Sequence, residues 1–231
     1  MRSMNAVRAA AVALFAVVSL AGPVAAAGPT PTELLFEGKH LESLPADTVL
    51  TYRYTRESAD EAKLGANFSD DIRLTVAAPS DDDGRSVAVE MFTGPRRRAS
   101  GPFPSMVGNP LLMLFLEADV GGMQKIVGGN PRYLKNKIRA AFREGGKVEP
   151  VKVTVDGVEH DAMRVTLKPF VDDEHRRELG AFVEKTYEFV VSDTVPGALV
   201  ELKTFTPKLD APTEPYFEEE IRFVGAEPKK G

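Results

Sequence analysis

The sequence contains no cysteine and no tryptophan among its 231 residues. The lack of cysteine excludes disulfides, thiolate nucleophiles, cysteine-based zinc sites and iron–sulfur clusters. It also excludes the lipid-accepting cysteine of a bacterial lipoprotein. Any chemistry must therefore use carboxylates, hydroxyls, amines or the three histidines.

Known catalytic and metal-binding motifs are missing as well. No Gly-x-Ser-x-Gly elbow, P-loop or Rossmann glycine fingerprint occurs in the chain. His40, His160 and His175 lie far apart and belong to no metal-ligand pattern. The acidic run at residues 172–174 favours a solvated helix start, because consecutive residues point in different directions. We predict no enzymatic activity, no cofactor and no metal site.

Residues 1–27 have the pattern of a cleavable export signal. Arg2 and Arg8 come before an apolar run of about a dozen residues, and residues 25–27 are alanines. The run is shorter than the roughly 20 residues that cross a bilayer as a helix. We predict a mature chain of residues 28–231, soluble in the periplasm and without a membrane span. Its net charge is −7, because the signal holds two of the 29 basic residues and none of the 34 acidic ones.

Most of the mature chain alternates between apolar and polar residues, which is typical of strands with one buried face. Eight such segments can be counted, and residues 32–44 before them predict a short amphipathic helix. The clearest hairpin joins a strand that carries Val151, Val153 and Val155 through the turn Asp156-Gly157 to a returning strand that carries Met163, Val165 and Leu167. We predict an α+β fold: a single curved antiparallel sheet, forming an open half-barrel of about eight or more strands, covered on its apolar face by helices.

A basic helical insert at residues 94–143 interrupts the strands of this single domain. Glycines and prolines in residues 94–104 predict a long loop, because proline is excluded from central strands and helix interiors. Asn109-Pro110 begins a helix whose residues 111–116 are all apolar, and a second helix starts at Asn130-Pro131. A helix that is apolar on every side is either buried all round or faces a cavity.

The insert carries charge of the opposite sign to the rest of the chain. It holds nine basic and two acidic residues, a net charge of +7, which leaves −14 for the remainder of the mature chain. Such a segregated field can steer an anionic partner, although Lys and Arg are also ordinary residues of a solvated helix face. The basic residues group into the run Arg96, Arg97 and Arg98 and a stripe along the second helix, Arg132, Lys135, Arg139 and Arg143.

The order of elements resembles the periplasmic lipoprotein-carrier superfamily of the Lol type (LolA and LolB). A leading helix, a meander of strands, helices inserted in mid-chain and further strands follow an export signal in both. In that family an open half-barrel is covered by helices, and the concavity between them holds acyl chains. The resemblance implies the same fold and the same class of ligand here.

We predict a soluble periplasmic binding or carrier protein for an amphiphile, a lipid or the acyl chains of a lipoprotein, held between the sheet and its helical lid. The predicted apolar ligand contacts are Tyr52, Tyr54, Leu74, Val89, Met91, Leu112, Phe115, Met163, Val165, Tyr187 and Phe189. The predicted contacts for an anionic head group are Arg96, Arg97, Arg98, Arg132, Lys135 and Arg139.

Two alternatives remain at this point. The basic insert could instead make the chain a non-enzymatic interaction module that docks on an acidic protein or an anionic membrane surface. Scattered carboxylates leave a hydrolase as a third hypothesis. Nucleic acid is not a predicted partner, because the exported chain is acidic and has no basic strand interleaved with aromatic residues.

Overall fold

A single nine-stranded sheet organises the chain. The computed structural model describes residues 28–80, 84–144 and 146–229, so the predicted signal at residues 1–27 lies outside the described residues. All neighbouring strands pair antiparallel in the order β4-β3-β2-β1-β9-β8-β7-β6-β5, and the sheet stays open at β4 and β5. The strands are β1 Thr48–Ser58, β2 Phe68–Pro79, β3 Arg85–Met91, β4 Arg98–Met106, β5 Lys147–Val155, β6 Val158–Leu167, β7 Thr186–Val191, β8 Leu199–Pro207 and β9 Pro215–Pro228. The predicted fold class is confirmed.

Helices precede and interrupt the strands. The described α-helices are α1 Glu61–Leu64, α2 Pro110–Val127, α3 Pro131–Glu144 and α4 Arg176–Leu179. A single turn of π-helix spans Glu33–Glu37, and 3-10 turns span Gly94–Arg96 and Gly180–Glu184. Among the described residues, no helix is both long and apolar enough to cross a bilayer.

One face of the sheet forms the core. Cross-strand pairing places Val165, Phe189, Leu202, Ile221 and Tyr54 in a single row across five strands, and all of them are buried. The alternation read from the sequence therefore identifies the covered face. Burying each large apolar side chain of this kind contributes about 1.5–3 kcal/mol, so this face supplies much of the free energy of folding.

Helices α2 and α3 cover this face directly. The ring of Phe189 on β7 lies 6.5 Å from the ring of Phe115 on α2 and 5.6 Å from the ring of Phe142 on α3. Helix α2 begins where the sequence predicts, because the side chain of Asn109 caps it by accepting the N–H of Leu111 at 3.1 Å. The predicted helical cover of the sheet is confirmed.

Two segments differ from their predictions. Residues 98–106 form strand β4 instead of part of a loop, and Pro102 and Pro104 are tolerated there because β4 pairs only with β3, at the edge of the sheet. The other edge strand, β5, also contains a proline, Pro150. The helix predicted over residues 32–44 is limited to the π-helical turn, because Gly38 takes extended dihedrals of φ −63° and ψ 136°.

The β5–β6 hairpin is confirmed and yields a prediction. Asp156 and Gly157 both have positive φ, 49° and 78°, as a two-residue type I′ turn requires. Replacing Gly157 by Ala places a side chain in a left-handed conformation and lowers the free energy of unfolding by about 1–2 kcal/mol in urea denaturation. Gly225→Ala is the matched control, because a Cβ there meets open space. Equal stability of the two variants would contradict this account of the turn.

Candidate binding groove on the helical layer

The apolar residues predicted to bind a ligand lie in the hydrophobic core. Met91 and Met163 are half-buried at its margin. The other nine are buried, and they are Tyr52, Tyr54, Leu74, Val89, Leu112, Phe115, Val165, Tyr187 and Phe189. Phe115 of α2 and Phe189 of β7 contact each other across the sheet–helix interface. Their role in holding a ligand stays a prediction, and in this structure they belong to the hydrophobic core or pack at its margin.

A buried ion pair attaches the middle of α2 to the sheet. Lys185, which comes just before β7, donates to Asp119 of α2, and both side chains are essentially inaccessible to solvent. The hydroxyl of Tyr187 donates to the other oxygen of Asp119 at 2.6 Å. Burial raises the pKa of the Asp119 carboxyl, while Lys185 and Tyr187 oppose the rise. The sequence signal for this contact is an acid, Asp119, within a mostly apolar helix whose other acid is Glu117, and the partner of Asp119 cannot be read from the sequence.

A second polar contact attaches the start of α2. The side-chain amide of Asn109 donates to the hydroxyl of Tyr52 on β1 at 2.9 Å and to the carbonyl of Gly197 at 3.1 Å. The same side chain caps the helix through its oxygen. Two buried polar contacts, one at the N-terminus and one in the middle of the helix, thus fix the position of α2 on the sheet.

A further buried carboxylate, that of Glu219, lies beside the core. Glu219 accepts a hydrogen bond from Arg56 at 2.6 Å and another from the hydroxyl of Tyr54. Asp119 and Glu219 are thus both matched with a cation. In the part of the chain that the structure describes, no group of three or more His, Asp or Glu side chains is placed to hold a metal ion.

The apolar run at residues 111–116 has two separate environments. Leu111, Leu112 and Phe115 are buried toward the sheet, whereas the side of α2 that carries Met113 and Leu116 faces outward. Met113 is 46% exposed, and it lies beside a second exposed apolar side chain, Phe36, in the lining of one groove. The run is therefore not buried all round, and its outer side faces an open groove.

This groove lies between α2, α3 and the π-helical turn. Its volume is about 390 Å³, within the roughly 300–1,000 Å³ of typical ligand sites. Phe36 of the π-helical turn is 48% exposed and packs edge-on against Phe142 of α3 at 5.0 Å, so it forms one wall. The lining residues are Thr32, Phe36, Met113, Leu116, Glu117, Val120, Lys135, Ile138, Arg139, Phe142 and Arg143.

Three cations of α3 form a rim along the groove. Lys135, Arg139 and Arg143 are four residues apart, so they follow one side of the helix over about 12 Å. Lys135 is paired with Glu117 of α2 at 2.6 Å. Arg139 and Arg143 are exposed and form no ion pair with any residue that the structure describes, so their guanidinium groups are open to an anion. Arg132, predicted as part of this stripe, does not line the groove.

The Arg96–Arg98 segment occupies a different surface. Arg97 forms an ion pair with Glu90, whose hydrogen bond lowers the pKa of that carboxyl. Arg96 stacks over Phe68 at 4.7 Å, and Arg98 stacks over Phe92 at 5.1 Å. None of the three lines the groove, so the structure separates two basic groups that the sequence places in one insert.

A larger depression of about 550 Å³ beside α4 has a different character. Its lining mixes the cations of Lys63, Arg177 and Lys208 with the anions of Glu178 and Asp210. The surface of this depression is therefore neither uniformly positive nor uniformly negative. The groove on α2 and α3 combines an apolar floor with unpaired cations, which is the arrangement that an anionic amphiphile requires.

Comparison with known proteins gives weak matches of structure alone. No family model matches the chain, and no curated protein matches it. The lipoprotein LppX of Mycobacterium tuberculosis is similar with a TM-score of 0.35 and 10% identity, over 82% of this chain and 91% of that one. A beta-barrel-like protein of a domain of unknown function from Brucella abortus has a TM-score of 0.22 and 11% identity, over 80% and 98%. Similarity at this level assigns no function to the chain.

The buried ion pair yields a testable prediction. Asp119→Ala leaves the ammonium of Lys185 buried without a counter-ion and lowers the free energy of unfolding by about 3–5 kcal/mol in urea denaturation. The double variant Asp119→Leu with Lys185→Met removes both charges and recovers most of that loss.

The matched control is Glu42→Ala, which breaks the exposed ion pair of Glu42 with Lys39. Exposed pairs contribute at most about 1 kcal/mol, so this control changes stability little. If Asp119→Ala unfolded at the same urea concentration as the control, the ion pair would not be the attachment described here.

Proposed function

We propose that this chain is a non-catalytic binding protein for a single-chain amphiphile with an anionic head group. The alkyl chain lies in the groove between α2, α3 and the π-helical turn, and the head group meets Arg139 and Arg143. The observation that carries the proposal is an open apolar groove with two unpaired guanidinium groups along its rim, among the residues that the structure describes.

The dimensions of the groove favour one short alkyl segment. An extended alkyl chain advances about 1.3 Å per carbon, given C–C bonds of about 1.5 Å, so the rim of about 12 Å accommodates roughly nine carbons. Burying nine methylene groups would contribute about 7 kcal/mol, and about half of that in a groove open to solvent. Two charge-assisted contacts add about 1.5–3 kcal/mol each, which after association costs of about 4 kcal/mol or more leaves roughly millimolar affinity.

The groove is accessible without any rearrangement of the fold. A ligand between the sheet and α2, as the sequence predicts, would have to separate Phe115 from Phe189 and disturb the buried contact of Asp119 with Lys185. An amphiphile reaches Met113 and Phe36 directly from solvent. The periplasmic location, which the predicted export signal implies, is also a proposal. So is the role of a carrier, which the resemblance in element order implies.

The decisive experiment is titration with decyl sulfate below its micelle concentration, followed by calorimetry and by the NMR signal of the Met113 methyl group. Wild-type protein binds one molecule and shifts the Met113 signal. Removing both cations in Arg139→Ala/Arg143→Ala weakens binding about a hundredfold or more, because each of the two lost charge-assisted contacts is worth about one decade or more.

The matched control is Arg132→Ala, which removes a cation from the same helix but from outside the groove. It retains wild-type affinity for decyl sulfate. Equal affinity of the double variant and wild type, or a Met113 signal that does not respond, would rule out this groove as the site.

Docking on an anionic membrane surface is a second candidate function. The observation that favours it is the pair Arg96 and Arg98, which are exposed, held on aromatic rings and without an ion pair among the described residues.

This second function predicts that the protein co-sediments with vesicles of phosphatidylglycerol and phosphatidylcholine. The bound fraction falls as added salt screens the attraction, and binding is lost in Arg96→Ala/Arg98→Ala. Arg139→Ala/Arg143→Ala is the control. Vesicle binding that persists in high salt would exclude this function.

A further inference from the structure

His40 connects one wall of the groove to the start of α2. Its Nε2 lies 2.8 Å from the carbonyl oxygen of Leu34 in the π-helical turn. Its Nδ1 lies 3.3 Å from the backbone nitrogen of Asn109, the residue that caps α2. His40 is 6% exposed, so both of its ring nitrogens depend on these two partners.

These contacts require one tautomer of the neutral ring. A carbonyl oxygen only accepts, so Nε2 must carry the proton that it donates to Leu34. A backbone N–H only donates, so Nδ1 must be unprotonated to accept it from Asn109. The doubly protonated ring cannot satisfy both, because two donors would face each other at Asn109.

The position of His40 at the start of α2 adds a second conflict for the charged ring. The N-terminus of a helix carries a partial positive charge, which disfavours a cation beside it. Protonation therefore removes a hydrogen bond at the helix cap and places like charges together. Asn109 is also one of the two residues that attach α2 to the sheet, so protonation of His40 disturbs a contact that holds the helix in place.

The other groups around the ring do not resolve this conflict. Asp193, from the segment after β7, is the charged group that acts on the ring and favours its protonation. Tyr52, which contacts Asn109 from the side of β1, stays neutral because burial raises the pKa of its hydroxyl. Burial of the imidazole outweighs both Asp193 and the bond to Leu34, and it lowers the pKa of His40 from its ordinary value of 6.5.

We propose that protonation of His40 in mildly acidic solution detaches the π-helical turn from the start of α2 and thereby releases an amphiphile from the groove. The turn carries Phe36 and is preceded by Thr32, and both residues form one wall of the groove, so detaching it removes apolar contacts from the ligand. The consequence for the ligand rests on the proposed function, whereas the structural change does not.

The direction of the pH dependence follows from linkage. Because the pKa of His40 is lower in the folded protein than in the unfolded chain, the unfolded or detached form binds a proton more readily. The stabilising contribution of His40 is complete above about pH 6.5 and is lost as the pH falls through its lowered pKa. Binding should therefore be tight at neutral pH and weak in acid.

The first test uses ligand-free protein. NMR of wild-type protein at about pH 7.5 shows His40 with its proton on Nε2, as the bond to the carbonyl oxygen of Leu34 requires. Hydrogen exchange of residues 33–41 and 107–112, corrected for intrinsic rates, becomes about tenfold faster between about pH 7.5 and pH 5. His40→Gln keeps a donor toward Leu34 but does not titrate, and it shows no such change.

The matched control is His160→Gln, because His160 is bonded to Thr194 and lies away from the groove. This variant keeps the acid response of wild type. If His40→Gln fails to fold, the tautomer and the exchange rates of wild-type protein still decide the question. A proton on Nδ1 at neutral pH, or unchanged exchange in acid, would overturn the proposal.

The second test measures decyl sulfate, whose head group stays anionic across this range. Its affinity for wild type falls about tenfold from about pH 7.5 to pH 5, and its affinity for His40→Gln stays constant. Absence of binding at neutral pH would reject the groove as a ligand site, while the exchange experiment would still report on the switch. Equal affinity of wild type at both pH values would overturn the release mechanism but not the binding site.

Discussion

The structure depends on the buried contact between Asp119 of α2 and Lys185 beside β7. Removing two charges from water costs several kcal/mol per ion, so such a pair adds little to stability compared with apolar residues of the same volume. The contribution of the ion pair is to fix the position of α2 on the sheet. Each residue step turns a helix by about 100°, and a helix displaced by one residue would leave the ammonium of Lys185 buried and unpaired. Together with the contact of Asn109 with Tyr52, the pair allows one placement of α2 on the sheet.

This placement decides which side of α2 faces the sheet and which side lines the groove. Phe115 is buried and Met113 is exposed, so the helix has one apolar side in the core and another open to solvent. Helix α3 packs beside α2, and Lys135 of α3 forms an ion pair with Glu117 of α2. The cations farther along α3, Arg139 and Arg143, have no such partner among the described residues, which is why one rim of the groove carries unpaired positive charge.

Local patterns in the sequence predicted the local features of the fold. Alternation identified the covered face of the sheet, Asp156-Gly157 identified a hairpin turn, and Asn109 identified the start of α2. Two kinds of feature were not predicted from the sequence. Strand β4 reads as a loop because its prolines are acceptable only at an edge, and the edge is known only once the strand order is known. The partner of Asp119 is 66 residues away and leaves no periodic signal, so neither the fixed position of α2 nor the groove outside it can be derived from the sequence.

Prolines in both outermost strands have a consequence for how molecules of this protein meet each other. A half-open barrel presents two free edges, and each could template a strand from a neighbouring molecule. Pro102 and Pro104 in β4 and Pro150 in β5 have no N–H to offer such a strand, so a ladder started on either side is interrupted. The prolines that obscure β4 in the sequence thus also make that edge a poor template for a strand from a second molecule.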